Sequence, residues 1–252
     1  MKVVLLGSGN VATQLGKALK NEGHEIAQVW SRNASHAKKL ASSLSTVSTS
    51  LLSDLDSFAD VYILSVSDDA IEEVSSSFPF KNKLLVHTSG SADLNLANIS
   101  GVFYPLQTFS KLKNVDFKDV PIFLESNNVN GMRALKLLAD SLSTKVYEIK
   151  SNQRKALHVA AVFACNFSNH LYAVANEILK NNDLNFELLK PLILETAEKI
   201  QSHSPQLVQT GPAVRNDQTT LNKHLEFLES YPQFKEIYKG LSQSIINLNQ
   251  KA

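Results

Sequence analysis

The residues with the clearest chemical purpose stand near the amino end. Gly7, Ser8, Gly9, Asn10, Val11 and Ala12 spell Gly-x-Gly-x-x-Ala directly after an apolar run, at the opening of a helical pattern. That context is what a dinucleotide loop needs. The first glycine permits a tight turn, the second lets backbone approach a diphosphate, and Ala12 keeps helix and strand close. Free N–H groups at the helix start would then face the negative charge. About 20 residues further on, where an Asp or Glu would take a ribose 2′-hydroxyl, the chain has Ser31 and Arg32. A hydroxyl beside a guanidinium suits a 2′-phosphate, so the expected cofactor is NADP(H).

A second group of polar residues lies where ligands of open α/β sheets are found, beyond strand carboxyl ends, and on one long helix. His87, Thr88, Ser89, Gly90 and Ser91 follow an apolar run. They read equally as a substrate-pocket wall or as ordinary strand-end turn chemistry. On the helix, Arg154, His158 and Asn169 fall near one stripe at 100° per residue, with Asn166 about 80° round from His158. Reduction of a carbonyl or imine needs a proton donor near neutrality, which suits His158; a buried hydrogen-bonding role between helices is the alternative. His158 and Asn169 are about 16 Å apart along the axis, too far for one small substrate to touch both. Arg215, after the Gly211-Pro212 turn, could take a substrate carboxylate or simply be solvated. Cys165 reads as inert core.

The elements that position these residues follow from periodicity. Strand patterns cover residues 3–6, 26–30, 61–65, 84–87, 102–104, 121–124 and 145–149. Strands separated by helices imply parallel pairing and a doubly wound α/β sheet. Asp69 reads as an N-cap with Glu72 as its reciprocal residue, opening one helix. The serine-rich stretch 42–53 is too regularly broken by leucine to be a linker. From 151 to 181 there is no proline or glycine, which predicts a single helix of about 30 residues. Further helices are expected at 186–200, 218–229 (capped by Asp217) and 233–249. The expectation is an N-terminal Rossmann domain for NADP, 1–150, and an all-helical C-terminal substrate and dimerisation domain, 151–252.

Composition narrows the function class. Lys and Arg against Asp and Glu count 15 to 15 before residue 151 and 10 to 9 after it, so neither half offers a basic surface for nucleic acid. One cysteine and seven histidines without a zinc-binding spacing give no metal site. No signal peptide and no membrane span is read, which predicts a cytoplasmic protein.

With these residues in hand, the chain resembles the superfamily of pyrroline-5-carboxylate reductase, prephenate dehydrogenase and 6-phosphogluconate-type dehydrogenases. The shared points are the Gly-x-Gly-Asn-Val loop, the Ser31-Arg32 strand end and the run from Leu64 to Ile71. More closely it resembles a bacterial family of oxidoreductases with a Rossmann domain and a helical domain of unknown function. The residues that carry this are 87–91, 104–109, 158–166 and 210–217. The resemblance implies that Ser65, Val66 and Ser67 pass beside the cofactor, and that residues 87–91 wall the substrate pocket. Relatives carry a lysine on the long helix with asparagine four residues later; this chain has Arg154 and His158 at that spacing, so their chemistry does not transfer directly. The expected activity is NADP-dependent reduction of a C=O or C=N bond in a small carboxylated metabolite. His158, Ser89, His87 and Asn166 are the catalytic candidates, and Arg215 and Asn169 the substrate contacts. A non-catalytic dinucleotide-binding regulator or scaffold is the rival. The apolar circumference of the long helix predicts a homodimer through the C-terminal half.

Overall fold

The computed structural model describes residues 1–94, 98 and 100–250. The chain divides into two compact units, Met1–Asn166 and Phe167–Ala252.

In the first unit the order is β1 (Lys2–Leu6), α1 (Asn10–Asn21), β2 (Glu25–Trp30), α2 (Ala34–Leu44), β3 (Val47–Thr49), β4 (Val61–Leu64), α3 (Asp68–Ser76), β5 (Leu84–His87), β6 (Gly101–Pro105), β7 (Ile122–Ser126), α4 (Val129–Leu142), β8 (Val146–Glu148) and α5 (Ser151–Ala161). The strands form one eight-stranded sheet in the order β3-β2-β1-β4-β5-β6-β7-β8. The fold is therefore the expected α/β sheet followed by a helical region, with the order reversing between β1 and β4.

Both faces of the sheet are covered, which is why β4 is apolar throughout and β1 is so from Val3 onward. Val3 and Leu5 of β1 join Leu15, Leu19 and Val29 in one core, together with Leu135 and Leu138 of α4. Val4 and Leu6 point the other way, into a second core with Trp30, Tyr62, Ile71 and Phe78. Each such buried side chain contributes about 1.5–3 kcal/mol.

Four details differ from the pattern-based expectation. β3 lies inside the serine-rich stretch, where Val47 is 64% exposed and no apolar run announces a strand. β7 pairs antiparallel with β6, and β8 parallel with β7. Residues 106–121 hold no helix that could carry a crossover, so the chain returns beside β6 instead. α3 starts at Asp68 with Ser67 as its N-cap, two residues before the cap expected at Asp69. The long helical stretch is not uniform: a π segment, Val162–Phe167, follows α5. Its i→i+5 bonding adds a residue to the turn, so Asn169 cannot be placed from His158 by counting at 100°.

The second unit contains α6 (Ser168–Lys180), a 3₁₀ turn at Phe186–Leu189, α7 (Lys190–Ser202), α8 (Gln218–Phe227) and α9 (Pro232–Asn249). Asp217 caps α8 by accepting from the Thr220 amide at 3.1 Å. Among the described residues, its buried hydrophobics are Ala213, Leu221, Leu228 and Phe234, whereas Leu188, Leu192, Leu194 and Leu248 are exposed. Among the described residues no helix is long and apolar enough to cross a membrane.

Candidate active site

At the carboxyl edge of the sheet, the loop between β1 and α1 is shaped by Gly7. Its φ is +132°, and a Cβ there would lie 2.2 Å from the Ser65 carbonyl oxygen. Only glycine lets β1 turn this close to the β4 loop. Gly9 precedes α1 without any side-chain cap, there is no acid in the first turn, and a Cβ on it would meet nothing within 4 Å. The uncapped N–H groups and the open approach form a cradle for an anion.

At the end of β2, Ser8 Oγ donates to Ser31 Oγ at 3.0 Å. Arg32 is 61% exposed and pairs with Glu73 at 3.6 Å. Gly7, Ser8, Gly9, Asn10, Val11, Ser31, Arg32, Ser65, Val66 and Ser67 all border one cavity of about 370 Å³, completed by Trp30 and Thr88. These residues fit a dinucleotide: helix dipole for the diphosphate, hydroxyl and guanidinium for a phosphorylated ribose, and no carboxylate at the end of β2.

The loop after β5 is held from below. His87 is completely buried, and its Nδ1 accepts from the Ser89 amide at 3.1 Å. Burial, and then the Arg154 charge, push its pKa down to about 4. The Ser89 hydroxyl accepts from the amides of Ser91 at 3.0 Å and Ala92 at 2.9 Å, closing the turn. Neither His87 nor Ser89 borders this cavity or the one beside His158. His87 and Ser89 therefore sit beneath the loop and fasten it from within.

Arg154 of α5 is wholly buried, which makes it the fixed point of this region. Its Nη1 donates to the Ser89 carbonyl at 3.0 Å, and its Nη2 and Nε to Glu125 Oε2 at 3.2 and 3.4 Å. Ser151 Oγ holds the other oxygen of that carboxylate at 2.8 Å. One turn on, His158 lies against Gly90, where a Cβ would stand 2.5 Å from its Nδ1. That nitrogen is 3.0 Å from the Tyr104 hydroxyl at the end of β6. Burial raises the pKa of the phenol, with the Arg154 charge acting the other way.

His158, Tyr104 and Asn166 share a cavity of about 440 Å³ with apolar walls such as Leu106, Leu157 and Val162. Thus α5 and the π segment bring His158 and Asn166 together. Tyr104 joins them, although in the sequence it reads as a strand aromatic; its place at a strand's carboxyl end was the available signal. Cys165 is exposed and borders the same cavity, contrary to the core position expected of it. The reason is that helix α5 and the π segment leave Val159 and Phe163 in the open, so an apolar helix here is not a buried one. Asn169 and Arg215 belong to the second unit and are exposed.

Residues 2–90 match a family described as NADP oxidoreductase, coenzyme F420-dependent. Residues 120–245 match the domain of unknown function DUF2520. No curated protein matches the chain. A candidate NADP oxidoreductase from Bacteroides fragilis shares 42% identity over 98% of both chains, with a TM-score of 0.91. A 1-pyrroline-5-carboxylate reductase from Streptococcus pyogenes has the same fold at 16% identity, 98% of both chains and a TM-score of 0.64. So has an imine reductase from Myxococcus stipitatus in complex with NADP+, at 15% identity, 100% of this chain, 94% of that one and a TM-score of 0.66.

Proposed function

For a chain that belongs to the DUF2520 family, with an NADP oxidoreductase domain at its amino end, we propose reduction of a C=O or C=N bond in a small, carboxylated metabolite. The chain is an oxidoreductase and its cofactor is NADP(H). When bound, the cofactor supplies the hydride. The residues bordering the glycine-loop cavity hold it, with Arg32 and Ser31 on the 2′-phosphate.

The observation that carries the reading is the hydrogen bond between Tyr104 and His158 at an apolar cavity. With Nδ1–H donating to the phenol oxygen, a protonated imidazole carries its second N–H on Nε2. That proton passes to the reduced oxygen or nitrogen and leaves a neutral imidazole, and the apolar walls keep water from competing. Asn166 orients the reacting group, and residues 87–91 support the ring from behind.

Oxidation of NADPH against a panel of oxo acids, cyclic imines and their decarboxylated analogues tests this. Turnover of a carbonyl or imine, faster for the carboxylated member, is expected. Tight NADPH binding with no turnover on any of them would favour a dinucleotide-binding regulator.

We also propose a homodimer through the helical half, supported by the exposed leucines there and the few residues that unit buries. Light scattering at micromolar concentration should give about twice the chain's 27.8 kDa. A mass near that of one chain refutes it.

A further inference from the structure

The segment that follows β6 is stitched to one face of α1. Asn10 Nδ2 donates to the Phe109 carbonyl at 3.1 Å. One turn later Gln14, 2% exposed, donates to the carbonyls of Ser110 and Lys113 at 2.5 and 2.9 Å. Its oxygen accepts from the Val115 amide at 3.3 Å, and Lys17 reaches Asn114 Oδ1 at 3.1 Å. A buried glutamine with both ends occupied is a costly arrangement to disturb, so the segment is held in place.

What it holds in place is Lys111. The ammonium donates to the Ser8 carbonyl at 3.0 Å, in the middle of the glycine loop. Among the described residues it has no carboxylate partner, and two of its three N–H donors are unspent. The cation among the residues that line the glycine-loop cavity, Arg32, already faces Glu73. The loop itself offers the diphosphate backbone N–H groups and the helix dipole, but no full positive charge.

We propose that Lys111 is part of the cofactor site and supplies the charge for the dinucleotide's diphosphate, with Gln14 as its positioning residue. This rests on the reading of residues 7–11 as the diphosphate loop. It differs from the role of Arg32 in a way binding can separate. The diphosphate is common to NADPH, NADH and ADP-ribose, whereas the 2′-phosphate occurs only in the first.

Titration of the full chain and of Lys111→Met with those three ligands is the test. The methionine keeps most of the stem, and the position is exposed, so the fold should not suffer. The variant should bind all three about tenfold more weakly, and Lys111→Arg should stay within about threefold of wild type. Arg32→Ala should weaken NADPH alone. Unchanged affinities in Lys111→Met overturn the proposal. So does a loss limited to NADPH, which would move the lysine to the 2′-phosphate, or one that spares ADP-ribose, which would move it to the nicotinamide end. Failure of the wild-type chain to bind any of the three would instead sink the reading of the loop.

Discussion

Replacing His158 by asparagine is expected to lower turnover by about 10²–10⁴ while leaving NADPH affinity within about twofold of wild type. The imidazole has its Nδ1 on the Tyr104 hydroxyl and its face against Gly90, so its position is set from two sides. The cofactor residues lie in the other cavity, which explains why binding should survive. Asparagine retains a polar group of similar volume next to Gly90, so the loop keeps its support. Tyr104→Phe removes only the hydroxyl that holds Nδ1 and should cost about tenfold in turnover. Normal turnover in His158→Asn would make this histidine a structural one and remove the proton donor from the proposed function.

Arg154→Met should destabilise the first unit by about 3–5 kcal/mol, read as a lowered urea midpoint. The guanidinium is fully buried and bridges Glu125 to the Ser89 carbonyl. Methionine fills much of the space but leaves a carboxylate that is only 14% exposed without its cation, and a carbonyl without its donor. Lysine at this position should recover little, because a single ammonium cannot reach both partners as the planar fork does. A loss below about 1 kcal/mol would mean that Glu125 reaches water when the arginine is removed, and that the pair is no keystone.

The two cases show where local signals suffice and where they do not. The glycine loop, Ser31 and Arg32 were legible because their chemistry is written in contiguous residues at a strand–helix junction, and the structure gathers them round one cavity. The apolar strands of the sheet centre were legible for the same reason. His87 and His158 look alike in sequence, both polar residues at the border of apolar runs. Burial separates them: one lies under the loop with its pKa near 4, the other at a cavity. Burial is a property of what packs against a residue, and the charge that bears on His87 comes from Arg154, distant in sequence. β3 was illegible because it consists of three exposed or half-buried residues added to a sheet edge. The direction of β7 is not written in its own residues at all; it follows from the connection before it.

That change of direction decides where the polypeptide leaves the sheet. Strands β1, β2, β4, β5 and β6 all run toward the edge that carries both cavities. Because β7 runs back and β8 follows it through α4, the chain finishes the sheet at the opposite end, with Ile149 still paired to Leu124. The helix that comes next then has the length of the sheet to climb. On the way up it passes Glu125 with Arg154 and reaches the level of Gly90 and Tyr104 with His158. Had β7 kept the direction of its neighbours, the chain would have emerged at the cavities already and the same helix would have travelled away from them. One reversed strand thus turns an exit into an approach, and a single helix can anchor the loop and face the pocket in consecutive turns.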